Sequence, residues 1–149
     1  MTEKSGTTAC VGWREWVSLP ELGVKNLKVK VDTGARTSAL HTFSLSYFDK
    51  DGEDWVRIGL HPRQKSDEEF FTEAKILDKR IVRDSGGHEE LRPVIETLIT
   101  LGKHSFRAEL TLTSRDNMKF RMLLGRKALE GRFLVDSKGS YLQSVRPVA

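Results

Sequence analysis

The run Leu27-Lys28-Val29-Lys30-Val31 alternates apolar and basic side chains and leads directly into Asp32-Thr33-Gly34. Alternation with period two marks a strand with one buried face, because successive side chains leave a strand on opposite sides. The strand therefore delivers a carboxylate, a small hydroxyl residue and a glycine to a sharp turn. Asp and Gly are ordinary turn formers, so the triplet by itself is compatible with a plain turn. Its chemical reading is half of a water-activating pair, in which two facing carboxylates about 3 Å apart share one proton because both cannot ionise together. Only one such triplet is present. A complete pair thus requires two copies of the chain.

A second segment gives the triplet a context. About ninety residues downstream, Met122-Leu123-Leu124-Gly125-Arg126-Lys127-Ala128-Leu129 reads as an apolar strand entering Gly-Arg and then a short helix. Three stretches together, Gly12 to Pro20 with its Trp13-Arg14-Glu15-Trp16, Lys30 to His41 around the triplet, and Leu124-Gly125-Arg126 followed by Arg132 to Asp136, resemble the bacterial retropepsin-like family often labelled "ATP-dependent zinc protease". The resemblance covers nearly the whole chain, and its most specific part is Lys30 to His41.

That resemblance implies a mainly β fold: a retropepsin-like closed β-barrel of the acid-protease type, with one short C-terminal helix and a flap hairpin. It implies a homodimeric aspartic endopeptidase with Asp32, Thr33 and Gly34 as the catalytic triplet, in which a water is activated between two Asp32 carboxylates. Thr33 would hydrogen-bond across the two-fold axis, and Leu124, Gly125 and Arg126 would support the site. Ala35 and Arg36, with Ser85, Gly86 and Gly87 of the flap, would contact substrate; the Ala35 carbonyl is suited to pairing with an extended peptide. Some relatives are fused to, or encoded beside, ATP-grasp glutamate ligases, which supplies the alternative of a non-catalytic peptide-binding or regulatory partner of such a ligase. One departure stands out. Retroviral enzymes carry an Asp where this chain has Arg36, and that Asp pairs with the Arg of Gly-Arg. Arg126 must therefore find another carboxylate, such as Asp136 or Glu130, or a carbonyl; alternatively Arg36 and Arg126 hold an acidic group of the substrate.

The residues oppose both halves of the family label. His41, His61, His88 and His104 are dispersed and Cys10 is solitary, without the close spacing of a zinc site. There is no Gly-x-x-x-x-Gly-Lys-Ser/Thr loop and no strand-to-helix Gly-x-Gly-x-x-Gly fingerprint. No metal and no cofactor are expected.

The rest of the chain reads as short strands in one domain over 1–149, with residues 1–8 a flexible N-terminus. Trp13 to Val17 is an early strand ended by Pro20, and Thr37 to Phe48 leaves the catalytic loop as another. Asp49-Lys50-Asp51-Gly52 is a hairpin turn, with Trp55 to Leu60 returning from it. His61 to Glu69 is a polar loop. Phe71 to Arg83 and Leu91 to Leu101 flank the glycine-containing flap candidate Asp84 to Glu90. The formal charge of +4 comes from 25 basic and 21 acidic residues interspersed without a dense run. Nucleic acid is not an expected partner, and a weak preference for acidic partners is left open. The start of the chain lacks the apolar core of a secretory signal, and no span has the apolar length of a membrane helix, so no membrane association is expected. With a single cysteine, the expected location is the cytoplasm, although a chain that had lost a leader would read the same way.

Overall fold

The computed structural model describes residues 8–63, 67–83, 86–114 and 120–144. Eleven strands and one short helix follow each other along the described residues. They are β1 (Ala9–Leu19), β2 (Val24–Asp32), β3 (Ser38–His41), β4 (Ser44–Lys50), β5 (Glu53–Leu60), β6 (Phe70–Lys75), β7 (Asp78–Arg83), β8 (Glu89–Leu101), β9 (His104–Thr113), β10 (Met122–Gly125), α1 (Arg126–Leu129) and β11 (Phe133–Ser140).

Six strands close into a barrel. The order β1-β2-β10-β3-β9-β8 returns to β1 through the antiparallel pair Ser18 and Thr100, with β11 and β7 added outside the ring. This is the closed barrel, short helix and hairpin that the resemblance implied. The alternation of β2 sets its inner wall: Leu27, Val29 and Val31 are buried, while Lys28 and Lys30 face outward. Each such aliphatic side chain contributes about 1.5–3 kcal/mol by leaving water. Met122, Leu124, Leu40, Leu110, Leu112, Ile95 and Ile99 complete a single core cluster.

Several strands differ in extent from the sequence reading. The early strand runs from Ala9 to Leu19, and a 3-10 turn at Pro20–Leu22 ends it. The expected strand Thr37 to Phe48 is broken at Thr42 and Phe43, because β3 pairs with β9 and β10 in the barrel whereas β4 pairs with β5 in a separate three-stranded sheet, β4-β5-β6. Phe71 to Arg83 is likewise divided at Ile76 and Leu77, with β6 in the small sheet and β7 beside β8. Continuous β propensity cannot signal that a chain changes sheets. The Asp51-Gly52 turn is as expected, with φ of 54° and 79° at its two central residues, the geometry of a tight hairpin.

Glu15 is fully buried on the inner side of β1. Its carboxylate accepts hydrogen bonds from the amides of Gly12 (2.7 Å), Leu142 (2.8 Å) and Ser144 (3.2 Å) and from the Ser144 hydroxyl (2.5 Å). The segment after β11 is thereby fastened to β1, where Gln143 Nε2 also donates to the Cys10 carbonyl (2.9 Å) and the Trp16 amide to Ser144 Oγ (2.8 Å). Among the described residues no helix is long and apolar enough to cross a membrane.

Candidate active site

Asp32 is the last residue of β2 and stands opposite Gly125, the last residue of β10, in a parallel ladder that also pairs Lys30 with Leu123 and Val31 with Leu124. The two segments singled out in the sequence are thus adjacent strands ending at the same level. Beyond Asp32 the chain turns at once. The Ala35 amide donates to the Asp32 carbonyl (3.2 Å) and the Gly34 amide to Asp32 Oδ1 (3.0 Å). The carboxylate is half-buried, while Thr33, Gly34 and Arg36 are exposed. Oδ1 is held by the loop's own backbone, and Oδ2 has no partner among the described residues.

The loop is clamped from the other side by the start of α1. The Arg126 amide donates to the Ala35 carbonyl (2.7 Å) and the Lys127 amide to the Arg36 carbonyl (3.0 Å). Two helix N–H groups that would otherwise lack partners are satisfied by the catalytic-loop candidate. The Arg126 side chain adds a third bond, Nη1 donating to the Thr33 carbonyl (3.0 Å). Arg126 thus meets a carbonyl, the second of the two options left by Arg36, instead of Asp136 or Glu130. The Ala35 carbonyl, expected to meet substrate, commits one lone pair to Arg126.

Gly125 is required by closeness. A Cβ there would lie 2.7 Å from the Thr37 carbonyl carbon and 3.0 Å from the Ala35 oxygen. Its amide donates to the hydroxyl of Ser38 (2.9 Å), a buried residue whose carbonyl accepts from Thr111 Oγ1 (3.3 Å). Ser38 therefore ties the loop, β10 and β9 together. Nothing but its place beside the triplet marked it in sequence.

Gly86 and Gly87 lie at the exposed tip of the β7–β8 hairpin, Gly87 with φ of 84°; Ser85 is outside the described residues. The structure thus places the hairpin glycines on an element distinct from the triplet loop. Two residues missed in sequence lie on the same hairpin. Along β8, Pro93, Ile95, Thr97, Ile99 and Leu101 are buried and share one face, so Leu91 carries that inward face past the barrel rim, with Ile81 directly opposite it on β7. Both are exposed, at 61% and 67%. The signal was available in the alternation of Leu91, Pro93 and Ile95.

The outer wall of β7–β9 carries paired charges. The Arg107 guanidinium holds the Glu21 carboxyl below its usual value by hydrogen bonding, and Glu96 also pairs with Arg107. Asp78 is lowered too, first by the Lys79 amide and then by Arg80, which also binds Glu109. Among the described residues no three His, Cys, Asp or Glu side chains converge as a metal site would need.

Residues 10–146 match the family described as "Retropepsin-like aspartic endopeptidase RimB". The chain is 45% identical over 132 residues to a "Probable alpha-L-glutamate ligase" of Shewanella halifaxensis, covering 88% of this chain and 29% of that protein. A protein of the same name from Parasynechococcus marenigrum is 46% identical over 132 residues, with 88% and 28% covered. The chain therefore spans less than a third of the length of these curated relatives. A crystal structure of a Legionella pneumophila protein of unknown function superposes with a TM-score of 0.74 at 24% identity, covering 92% of this chain and 99% of that one, which bears on the fold alone.

Proposed function

The chain belongs to the RimB-like family of retropepsin-like aspartic endopeptidases, and from that premise we propose that it is a homodimeric endopeptidase whose active site is built from two Asp32 side chains. The observation that carries this reading is the Asp32 carboxylate at the end of β2, held in one orientation by the Gly34 amide within a loop clamped to Gly125 and α1. A rigidly placed carboxylate with one free oxygen is what a shared-proton pair requires. One Asp32, ionised, takes a proton from water; its protonated mate donates to the scissile carbonyl oxygen. No covalent intermediate and no metal enter this scheme. The Thr33 side chain is exposed at the loop, and on this reading it would bond to the opposite loop of the dimer.

Substrate would lie in extended form between the triplet loop and the β7–β8 hairpin, with Gly86 and Gly87 giving the tip freedom to close. Ile81 and Leu91 offer it apolar contact, Arg36 an exposed cation for an acidic group, and Ala35 its remaining lone pair. We read the 149 residues as one domain acting in the cytoplasm.

The test is the concentration dependence of peptidase activity in the presence of a strong chelator and without ATP. Specific activity is expected to fall on dilution, because a monomer holds half a site, and to be indifferent to chelator. Full specific activity from a strictly monomeric protein, or zinc-dependent recovery after chelation, would rule the proposal out. A second reading draws on the relatives named as probable glutamate ligases, in which this segment is a minor part of a longer chain. On it, the chain is a non-catalytic peptide-binding or regulatory partner of an ATP-grasp ligase, and no cleavage would be observed at any concentration.

A further inference from the structure

A cleft of about 230 Å³ opens on the outside of the barrel, between β8–β9 on one side and α1 with the turn after it on the other. Thr37 and Ser38 line it, whereas Asp32 and the hairpin glycines do not, so it lies outside the path proposed for substrate. Its volume falls below the roughly 300–1,000 Å³ of pockets for drug-sized ligands, which limits an occupant to a small metabolite.

The strand side carries acids. Glu96 and Glu109 are cross-strand partners on β8 and β9. Like charges in that position repel unless each meets a cation, and each does: Arg107 Nε donates to Glu96 Oε1 (3.0 Å) and Arg80 Nη1 to Glu109 Oε1 (2.8 Å). The second oxygen of each carboxylate is uncommitted among the described residues. The helix side carries cations. Neither Lys127 nor Arg132 has an ion pair among the described residues, and the Arg132 guanidinium is seated 4.9 Å from the Phe106 ring centre with Nη1 donating to the Ala128 carbonyl (3.2 Å). Ser38, 2% exposed, adds a hydroxyl whose oxygen accepts from the Gly125 amide while its proton has no acceptor among the described residues.

Opposite charges thus line one small cleft without meeting, since no ion pair joins Lys127 or Arg132 to Glu96 or Glu109. We propose that the cleft binds a free α-amino acid as its zwitterion, with the carboxylate on Lys127, Arg132 and the Ser38 hydroxyl and the ammonium on Glu96 and Glu109. A lone carboxylate would face the two glutamates and a lone amine the two cations, so recognition requires both groups on one molecule. Such an occupant has a direct route to the triplet loop, because the Lys127 amide holds the Arg36 carbonyl and Ser38 holds Gly125.

The experiment titrates the full chain with L-alanine, L-glutamine and L-leucine singly, followed by NMR chemical shifts, beside the N-acetyl form of the tightest binder, which lacks the ammonium, and its amide, which lacks the carboxylate. Saturable binding of at least one amino acid is expected, with shifts at Ser38 and Lys127, and both blocked forms should bind at least about tenfold more weakly. Lys127→Met and Glu109→Gln should each weaken binding at least about fivefold, whereas Lys103→Gln, at an exposed lysine outside the cleft, should leave it unchanged. Thermal midpoints verify folding, and Lys127→Met, at an exposed position, keeps the test decisive if Glu109→Gln does not fold. Absence of saturable binding by all three amino acids, equal binding of either blocked form, or equal losses from Lys103→Gln and Lys127→Met would each overturn the proposal. No arm measures peptide cleavage, so failure here is distinct from failure of the endopeptidase reading.

Discussion

Asp32 and Gly125 are partners in one parallel ladder, so the residue proposed to do the chemistry and a glycine with no room for a side chain occupy the same level of adjacent strands. The carboxylate is aimed by backbone alone. Its immediate surroundings are the Gly34 amide and a loop whose carbonyls are bonded to α1.

Replacing Asp32 by Asn is expected to reduce peptide cleavage to background while leaving stability within about 0.5 kcal/mol. The amide oxygen can still accept from Gly34, but it cannot take a proton from water. Single-turnover cleavage assays beside urea denaturation check both halves; undiminished turnover would remove Asp32 from the mechanism.

Gly125→Ala is expected to destabilise the fold by about 1–3 kcal/mol, because a methyl group would press on the Thr37 and Ala35 backbones, which cannot swing away as a flexible side chain would. The measurement is the denaturation midpoint. A wild-type midpoint would show that the loop has slack, contrary to the three bonds that clamp it.

For Glu15→Gln, the carboxylate that accepts from Gly12, Leu142 and Ser144 is replaced by a group that presents an N–H to a site filled with N–H donors. A loss of about 2–4 kcal/mol is expected. Hydrogen exchange should localise faster opening to residues 142–144, and uniform exchange across the barrel would contradict the local fastening.

The Glu21 carboxyl is held low in the folded state by the Arg107 guanidinium. A depressed folded value means that the contribution is present above the unfolded value, near 4.5, and is lost as pH falls through the lower folded value. Glu21→Gln should therefore narrow the stability difference between neutral and acid pH, read from thermal midpoints across that range. Because both partners are exposed, the effect will be small.

Much of this architecture was legible in the chain because alternation reports directly on faces. Val29 and Val31 against Lys28 and Lys30 placed β2, and Asp51-Gly52 placed a hairpin. The association of Asp32 with Gly125-Arg126 came from a resemblance, since no local pattern states which distant strands pair. What remained hidden were contacts made by generic groups. The Thr33 and Ala35 carbonyls exist in any sequence, and their use by Arg126 depends on where α1 begins. Breaks at Thr42-Phe43 and Ile76-Leu77 were hidden because each joins two segments of good strand formers that belong to different sheets.

The bond between Arg126 and the Thr33 carbonyl spans 93 residues of sequence. A ribosome moving at about 5–20 residues per second needs roughly five to twenty seconds to travel from the triplet to the segment that clamps it. Throughout that interval the nascent chain carries Asp32 on a loop with neither its strand partner nor its helix clamp. On the reading proposed above, hydrolytic capacity therefore cannot arise until the segment carrying Arg126 has been made and a second copy has met the first.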